Sequence, residues 1–111
     1  MEIGVDVTER GNWRVVAVEG EIDITTAPQF RESLFRVIDE GNDHIVVDLT
    51  GVEFLDSTAL GVMVGAHKRL ADGGPGLVVA CDQPSILRVL DVTGLATVFR
   101  VCESVDAAVA S

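Results

Sequence analysis

The residues best placed to do chemistry in this chain are Asp56, Ser57 and Thr58, between a predicted strand and a predicted helix. A β-rich run from His44 to Leu49 leads through a short loop into them, and an apolar-periodic helix follows. A hydroxyl in a first helical turn lies beside free backbone N–H groups and the positive end of the helix dipole, which favour an anion. The same residue types also serve as ordinary helix caps, so both roles stay open here.

Helical periodicity predicts which way the Ser57 side chain points. At 100° per residue, the buried stripe of this helix is predicted to contain Ala59, Met63, Ala66 and Leu70. The outward stripe is predicted to contain Ser57, Gly61, Val64 and Lys68, with Gly65 beside it. Because a glycine costs an exposed helix interior about 1 kcal/mol relative to alanine, two glycines there indicate a surface that a partner approaches closely. The alternative is that Gly61 and Gly65 pack against another helix.

Length and charge limit the function classes. A chain of 111 residues with 48% hydrophobic residues is long enough for one folded domain. Eighteen acidic residues against eight basic ones give a net charge of −10, which repels nucleic acids and anionic membranes and favours a partner with a basic docking face. No apolar stretch approaches the roughly 20 residues of a membrane span, and no signal peptide begins at Met1. We therefore expect a cytoplasmic protein that binds neither nucleic acid nor membrane.

The two cysteines, Cys81 and Cys102, are far apart in the sequence and form no Cys-x-x-Cys pair. With only two histidines, the chain shows no metal-ligand spacing, and we predict neither a metal site nor a cofactor. In a cytosolic protein both cysteines are expected as reduced thiols. Each follows an apolar, strand-like run, so a redox role remains open if the two strands are parallel neighbours and the Cα atoms lie within about 7 Å.

Strands and helices alternate along the chain after an opening hairpin. Strands are predicted at 3–9, 13–18, 44–49, 77–81 and 98–102, with 20–23 as a loop or a short edge segment. Helices are predicted from 26 to 41, from 57 to 73, from 84 to 94 and from 104 to 110, the first opened by a Thr26–Gln29 capping box. This order predicts an α/β fold with a mixed, mostly parallel five-stranded sheet, an N-terminal β-hairpin and about four helices.

Functional residues of such sheets gather in the loops after the carboxyl ends of the strands. Asp23, the Asp56–Ser57 turn and the Cys81 corner are all predicted to lie in loops of this kind. An acid–base pair formed by Asp23 and Asp56 is less expected than two helix caps.

The serine lacks the surroundings of a hydrolase nucleophile. Ser57 is not in a Gly-x-Ser-x-Gly elbow, and the chain contains no nucleotide-binding glycine loop. His67 is three turns along the same predicted helix, roughly 15 Å away at 1.5 Å per residue, and His44 opens a strand. We therefore predict that the protein is not an enzyme.

Four stretches of the sequence resemble a STAS domain, and more narrowly the bacterial anti-sigma-factor antagonists. They are Gly-Glu-Ile-Asp at 20–23 with Thr-Ala at 26–27, Ile-Val-Val-Asp-Leu at 45–49, Phe-Leu-Asp-Ser-Thr-Ala-Leu-Gly-Val at 54–62 and Leu-Arg-Val-Leu-Asp-Val-Thr-Gly-Leu at 87–95. The resemblance covers nearly the whole chain, so residues 1–111 are expected to form one STAS domain.

The resemblance implies a partner-switching function. The unphosphorylated antagonist would bind an anti-sigma factor, itself a serine kinase of the GHKL type, and so release the sigma factor. The kinase would then phosphorylate the antagonist, and a PP2C-type phosphatase would restore it. By position the phosphoacceptor is Ser57. Thr58-Ala59 stands where many members have Ser-Gly, which makes Thr58 an alternative acceptor.

The residues themselves agree with such a switch. A phosphate on Ser57 adds about −1.5 to −2 charges. The carboxylate of Asp56 repels this charge, and so does that of Asp23 if the fold brings it near. The predicted partner-binding residues are Asp23, Asp56, Ser57, Thr58, Gly61 and Val64. Other STAS roles remain as alternatives: a stressosome scaffold, a lipid-transport accessory subunit, or an anion-binding module.

Overall fold

Five strands form one mixed sheet in the computed structural model, which describes residues 3–110. The strands are β1 (Gly4–Arg10), β2 (Trp13–Ile22), β3 (Ile45–Leu55), β4 (Val78–Ala80) and β5 (Arg100–Cys102), and they lie side by side in chain order. β1 and β2 form an antiparallel hairpin, while β2 to β5 are parallel to one another. The predicted α/β architecture with a mostly parallel sheet is confirmed.

Helices cover both faces of this sheet. They are α1 (Ala27–Asp39), α2 (Ser57–Ala71), α3 (Pro84–Val92) and α4 (Val105–Val109), with a short 3-10 turn at Leu95–Thr97. The buried faces of α1, α2 and α3 share one core with Val47 of β3, whereas Val46 packs in a smaller cluster with Ala108 of α4. Because successive strand residues point to opposite faces, these are the two sides of the sheet, which explains the continuous apolar run at the start of β3.

Two strands are longer than the sequence predicted. β2 continues to Ile22, where a loop or a short edge segment was expected, and β3 continues to Leu55, where a loop was expected. Their parallel pairing runs on through two register shifts, at each of which β3 has one residue more than β2. Such bulges interrupt the alternation of apolar and polar residues, so this part of β3 looks like a loop in the sequence.

The predicted capping box at Thr26 is wrong. In the described part of the chain the Thr26 side chain makes no capping bond to α1. Its hydroxyl instead donates to the carbonyl oxygen of Glu21 at 2.8 Å and accepts from the N–H of Asp23 at 2.9 Å. The buried threonine therefore closes the turn between β2 and α1, a role that the same residue type fills as readily as capping.

Candidate functional site

The carboxyl ends of β2 and β3 meet at one corner of the sheet. Ile22 pairs with Leu55, the last residue of β3, and the N–H of Asp56 donates to the carbonyl oxygen of Ile22 at 3.1 Å. Asp23 follows the first of these strand ends and Asp56 the second. The structure therefore brings together two predicted site segments that lie more than 30 residues apart in the chain.

Capping of α2 is performed by Asp56. Its backbone is extended, and its Oδ1 accepts from the N–H groups of Thr58 at 2.9 Å and Ala59 at 3.2 Å. Ser57 is the first helical residue and is exposed, and no residue within 3–110 hydrogen-bonds to its hydroxyl. The capping explanation therefore applies to Asp56, and the Ser57 hydroxyl is accessible at the surface.

Asp23 holds the neighbouring turn. Its Oδ1 accepts from the hydroxyl of Thr25 at 2.6 Å, from the N–H of Thr25 at 2.9 Å and from the N–H of Thr26 at 3.1 Å. The hydrogen bond from the Thr25 hydroxyl, followed by that from its N–H, lowers the pKa of the Asp23 carboxyl. Asp23 therefore places a negative charge at the same corner as Ser57 at neutral pH.

The two faces of α2 follow the predicted periodicity. The buried residues are Ala59, Leu60, Met63, Ala66 and Leu70. On the outward side Gly61 is exposed, and a Cβ atom added to it would meet nothing within 4 Å. Val64, which was predicted to be exposed on the outward stripe, is instead half-buried and packs against the main core, so the prediction is only partly correct for this residue. A Cβ atom on Gly65 would lie 3.6 Å from the Phe35 ring of α1, so Gly65 belongs to the helix–helix contact and only Gly61 faces open space.

Two exposed apolar side chains, close in the chain to Asp23 and Asp56, were not predicted. Ile24, directly after Asp23, is 72% exposed, and Phe54, two residues before Asp56, is 48% exposed. The exposure of Ile24 could have been predicted, because this isoleucine lies in a turn formed by an aspartate and two threonines. The exposure of Phe54 could not, because its segment was predicted to be a loop. Apolar groups beside a polar, accessible site are typical of protein interfaces. The name Ser57 surface is used below for Asp23, Ile24, Asp56, Ser57, Thr58, Gly61 and Val64.

Both histidines have contacts away from Ser57. The Nδ1 atom of His67 accepts from the N–H of Leu77 at 3.1 Å, and its ring packs edge-on to Phe99. The Nδ1 atom of His44 lies 2.7 Å from a carboxylate oxygen of Asp43. Within residues 3–110, no three His, Cys, Asp or Glu side chains are grouped in a way that could hold a metal ion, and no helix of that range is long and apolar enough to cross a membrane.

Cys81 directly follows β4 and Cys102 ends the neighbouring β5, but their side chains point to opposite faces of the sheet. The N–H of Cys81 donates to the carbonyl oxygen of Cys102 at 2.8 Å, while the register partner of Cys102 is Ala80. That one-residue offset places Cys81 in the main core and Cys102 against the smaller cluster under α4. Both are free thiols in the structure.

The two thiols are expected to react at different rates in the folded protein. Burial raises the pKa of the Cys81 thiol, whereas Cys102 is partly exposed. At pH 8 a thiol reagent should label Cys102 at least about tenfold faster than Cys81, which should become equally reactive on unfolding. Peptide mapping after timed alkylation measures this, with Cys102→Ser as the control. Protection of both cysteines until a reductant is added would show a disulfide instead.

Comparisons with known proteins give a family match, similar relatives and similar solved structures. Residues 4–108 match the STAS domain family. An anti-sigma-B factor antagonist of Bacillus subtilis (strain 168) is 38% identical over 95 residues, which cover 86% of each protein. One from Staphylococcus epidermidis is 31% identical over 106 residues, covering 96% of this chain and 98% of the relative. The crystal structure of an anti-sigma factor antagonist from Mycobacterium paratuberculosis has a TM-score of 0.86 at 29% identity, covering 97% of this chain and 92% of that one.

Proposed function

The chain belongs to the STAS domain family and, within it, to the anti-sigma-factor antagonists, and we propose that it binds an anti-sigma factor and thereby releases a sigma factor. Binding takes place through the Ser57 surface while Ser57 is unphosphorylated. The protein acts in the cytoplasm by occupying its partner, and it performs no catalysis of its own.

The observation that carries this proposal is the accessibility of Ser57. Its hydroxyl is exposed at the start of α2, and the capping that would otherwise occupy a serine there is done by Asp56. The anti-sigma factor is then also the kinase, of the GHKL type. It transfers the γ-phosphoryl group of ATP to the Ser57 oxygen, releasing ADP and the hydroxyl proton. A PP2C-type phosphatase hydrolyses the phosphoserine and restores the binding form.

Charge explains how phosphorylation would end binding. A phosphate brings about −1.5 to −2 charges to a corner that already carries the Asp56 and Asp23 carboxylates. The N–H groups of Thr58 and Ala59 already donate to Asp56, so they are not free to neutralise the phosphate. The added charge therefore stays at the surface, where a closely docked partner would have to desolvate it. The switch acts locally on the contact, without unfolding the domain.

The same hydrogen bonds weigh against an anion-binding module. Such a module would use free N–H groups at the first turn of α2, and two of them are engaged by the protein's own carboxylate. A purely structural scaffold would not require an accessible serine at this position. The antagonist role therefore has more support from the site than either alternative.

The test is a phosphorylation assay with the cognate anti-sigma factor and Mg-ATP, followed by intact-mass spectrometry. We expect the wild-type chain to gain one phosphoryl group and the Ser57→Ala variant to gain none. Thr58→Ala is the matched control, since it changes the neighbouring hydroxyl and should leave the modification in place. A Ser57→Ala protein modified at the normal rate would remove Ser57 as the acceptor, and label on Thr58 would move the assignment by one residue.

A further inference from the structure

Within residues 3–110, no strand pairs with one edge of the β3 segment that leads to Ser57. β4 ends at Ala80, whose register partner is Asp48, while β3 continues for seven more residues to Leu55. On its other edge this segment pairs with β2, but through both register shifts. The carbonyl groups that would have bonded to a longer β4 need other partners, because every backbone acceptor has to be paired with water or with another group of the protein.

A single side chain supplies those partners. The Nε2 atom of Gln83, in the loop between β4 and α3, donates to the carbonyl oxygens of Leu49, Thr50 and Val52 at 2.7, 2.8 and 2.7 Å. Carbonyls of consecutive residues point to opposite edges of a regular strand, so the convergence of Leu49 and Thr50 on one nitrogen reflects the bulge there. The Gln83 amide thus takes the place of the missing strand at the irregular point of β3.

The orientation of the amide is fixed from its other side as well. The Oε1 atom of Gln83 accepts from the N–H of Asp82 at 3.2 Å and from the thiol of Cys81 at 3.4 Å. Donors therefore face one end of the amide and acceptors the other. A glutamate would place an oxygen against three carbonyl oxygens, and an asparagine is one methylene too short to reach them all.

We propose that Gln83 is a positioning residue, which holds the distal segment of β3 and through it the Asp56–Ser57 turn. Val52, the last carbonyl that it binds, is three residues before Leu55, and Asp56 then both bonds to Ile22 and caps α2. Loss of the amide frees one edge of this segment and loosens the serine's position. The effect of this loosening on partner binding rests on the proposed function.

Hydrogen exchange of backbone amides tests the positioning directly, without any partner. In Gln83→Met, which keeps the side-chain length but removes the donors, amides of residues 50–57 should exchange about tenfold faster, including that of Asp56. Gln29→Met is the matched control, since the Gln29 Nε2 atom donates to one carbonyl only, that of Ile3 at 3.2 Å. The control should leave exchange in 50–57 unchanged. Phosphorylation of Ser57 by the anti-sigma factor should slow by about tenfold in Gln83→Met alone.

Each outcome decides the proposal. Unchanged exchange in 50–57 overturns it, and so does an increase spread equally over β1 and α1, which would mark a general loss of stability. Faster local exchange with unaltered phosphorylation overturns the link to Ser57. If Gln83→Met does not fold, Gln83→Asn is judged by the same criteria. If the wild-type chain is neither bound nor phosphorylated, the proposed function fails, and the exchange pattern still decides whether Gln83 positions the turn.

Discussion

Ser57→Glu is expected to weaken binding of the anti-sigma factor by about tenfold to a hundredfold, or about 1.4 to 2.8 kcal/mol. The carboxylate adds one negative charge beside Asp56 and Asp23, and docking would have to desolvate all three. The glutamate carries less charge than a phosphate, so phosphorylation itself should have the larger effect. Calorimetric titration of the purified chain with the anti-sigma factor measures the change.

Ser57→Ala is the matched control for this experiment. The hydroxyl has no internal partner within residues 3–110, so its removal should leave the affinity close to that of the wild type. Thermal melts should show both variants folded, because a negative charge in a first helical turn is not destabilising. If Ser57→Ala lost as much affinity as Ser57→Glu, the hydroxyl itself would be the contact, and the explanation by charge would be wrong.

The orientation of Ser57 was predictable because it depends on local geometry. Helical periodicity alone assigned Met63 and Leu70 to the core and Gly61 to the surface, and the structure agrees. The alternation of strands and helices likewise predicted the parallel sheet. The ends of β2 and β3 were not predicted, because bulges remove the period of two on which strand recognition depends.

Features that depend on strand register or on hydrogen bonds to the main chain also could not be predicted from the sequence. The sequence left a redox role for the two cysteines open if their strands were parallel neighbours. They are neighbours, but Cys81 lies one residue beyond Ala80, the register partner of Cys102, so the two side chains point to opposite faces. The role of Gln83 could not be predicted either, because its hydrogen-bond partners are backbone oxygens 31 to 34 residues earlier in the chain. Gly61 and Gly65 look alike in the sequence, and only the packing of α1 on α2 separates them.

Because Gly61 faces open space whereas Gly65 contacts α1, Gly61→Arg is the most direct test of the Ser57 surface. A Cβ atom added at Gly61 meets no atom within 4 Å in the folded protein, so we expect helix α2 to accept an arginine there with its long side chain directed to solvent. Replacing glycine within a helix should also raise stability by about 0.5 to 1 kcal/mol. The arginine would stand where the partner has to approach α2 closely, and we expect affinity for the anti-sigma factor to fall by about a hundredfold or more. Calorimetric titration and thermal melts, run on the same samples, measure both effects.

Gly61→Ala is the control that distinguishes steric obstruction of the partner from the effect of removing a glycine from α2. It should give most of the same gain in stability, because the helix propensity of alanine is the highest, yet it adds only one methyl group to the surface. A moderate loss of affinity for alanine and a large one for arginine would place the partner against Gly61. Equal losses would instead point to a change in α2 itself. If a folded Gly61→Arg protein bound with wild-type affinity, the partner would have to dock elsewhere, and the switch at Ser57 could not act through direct contact.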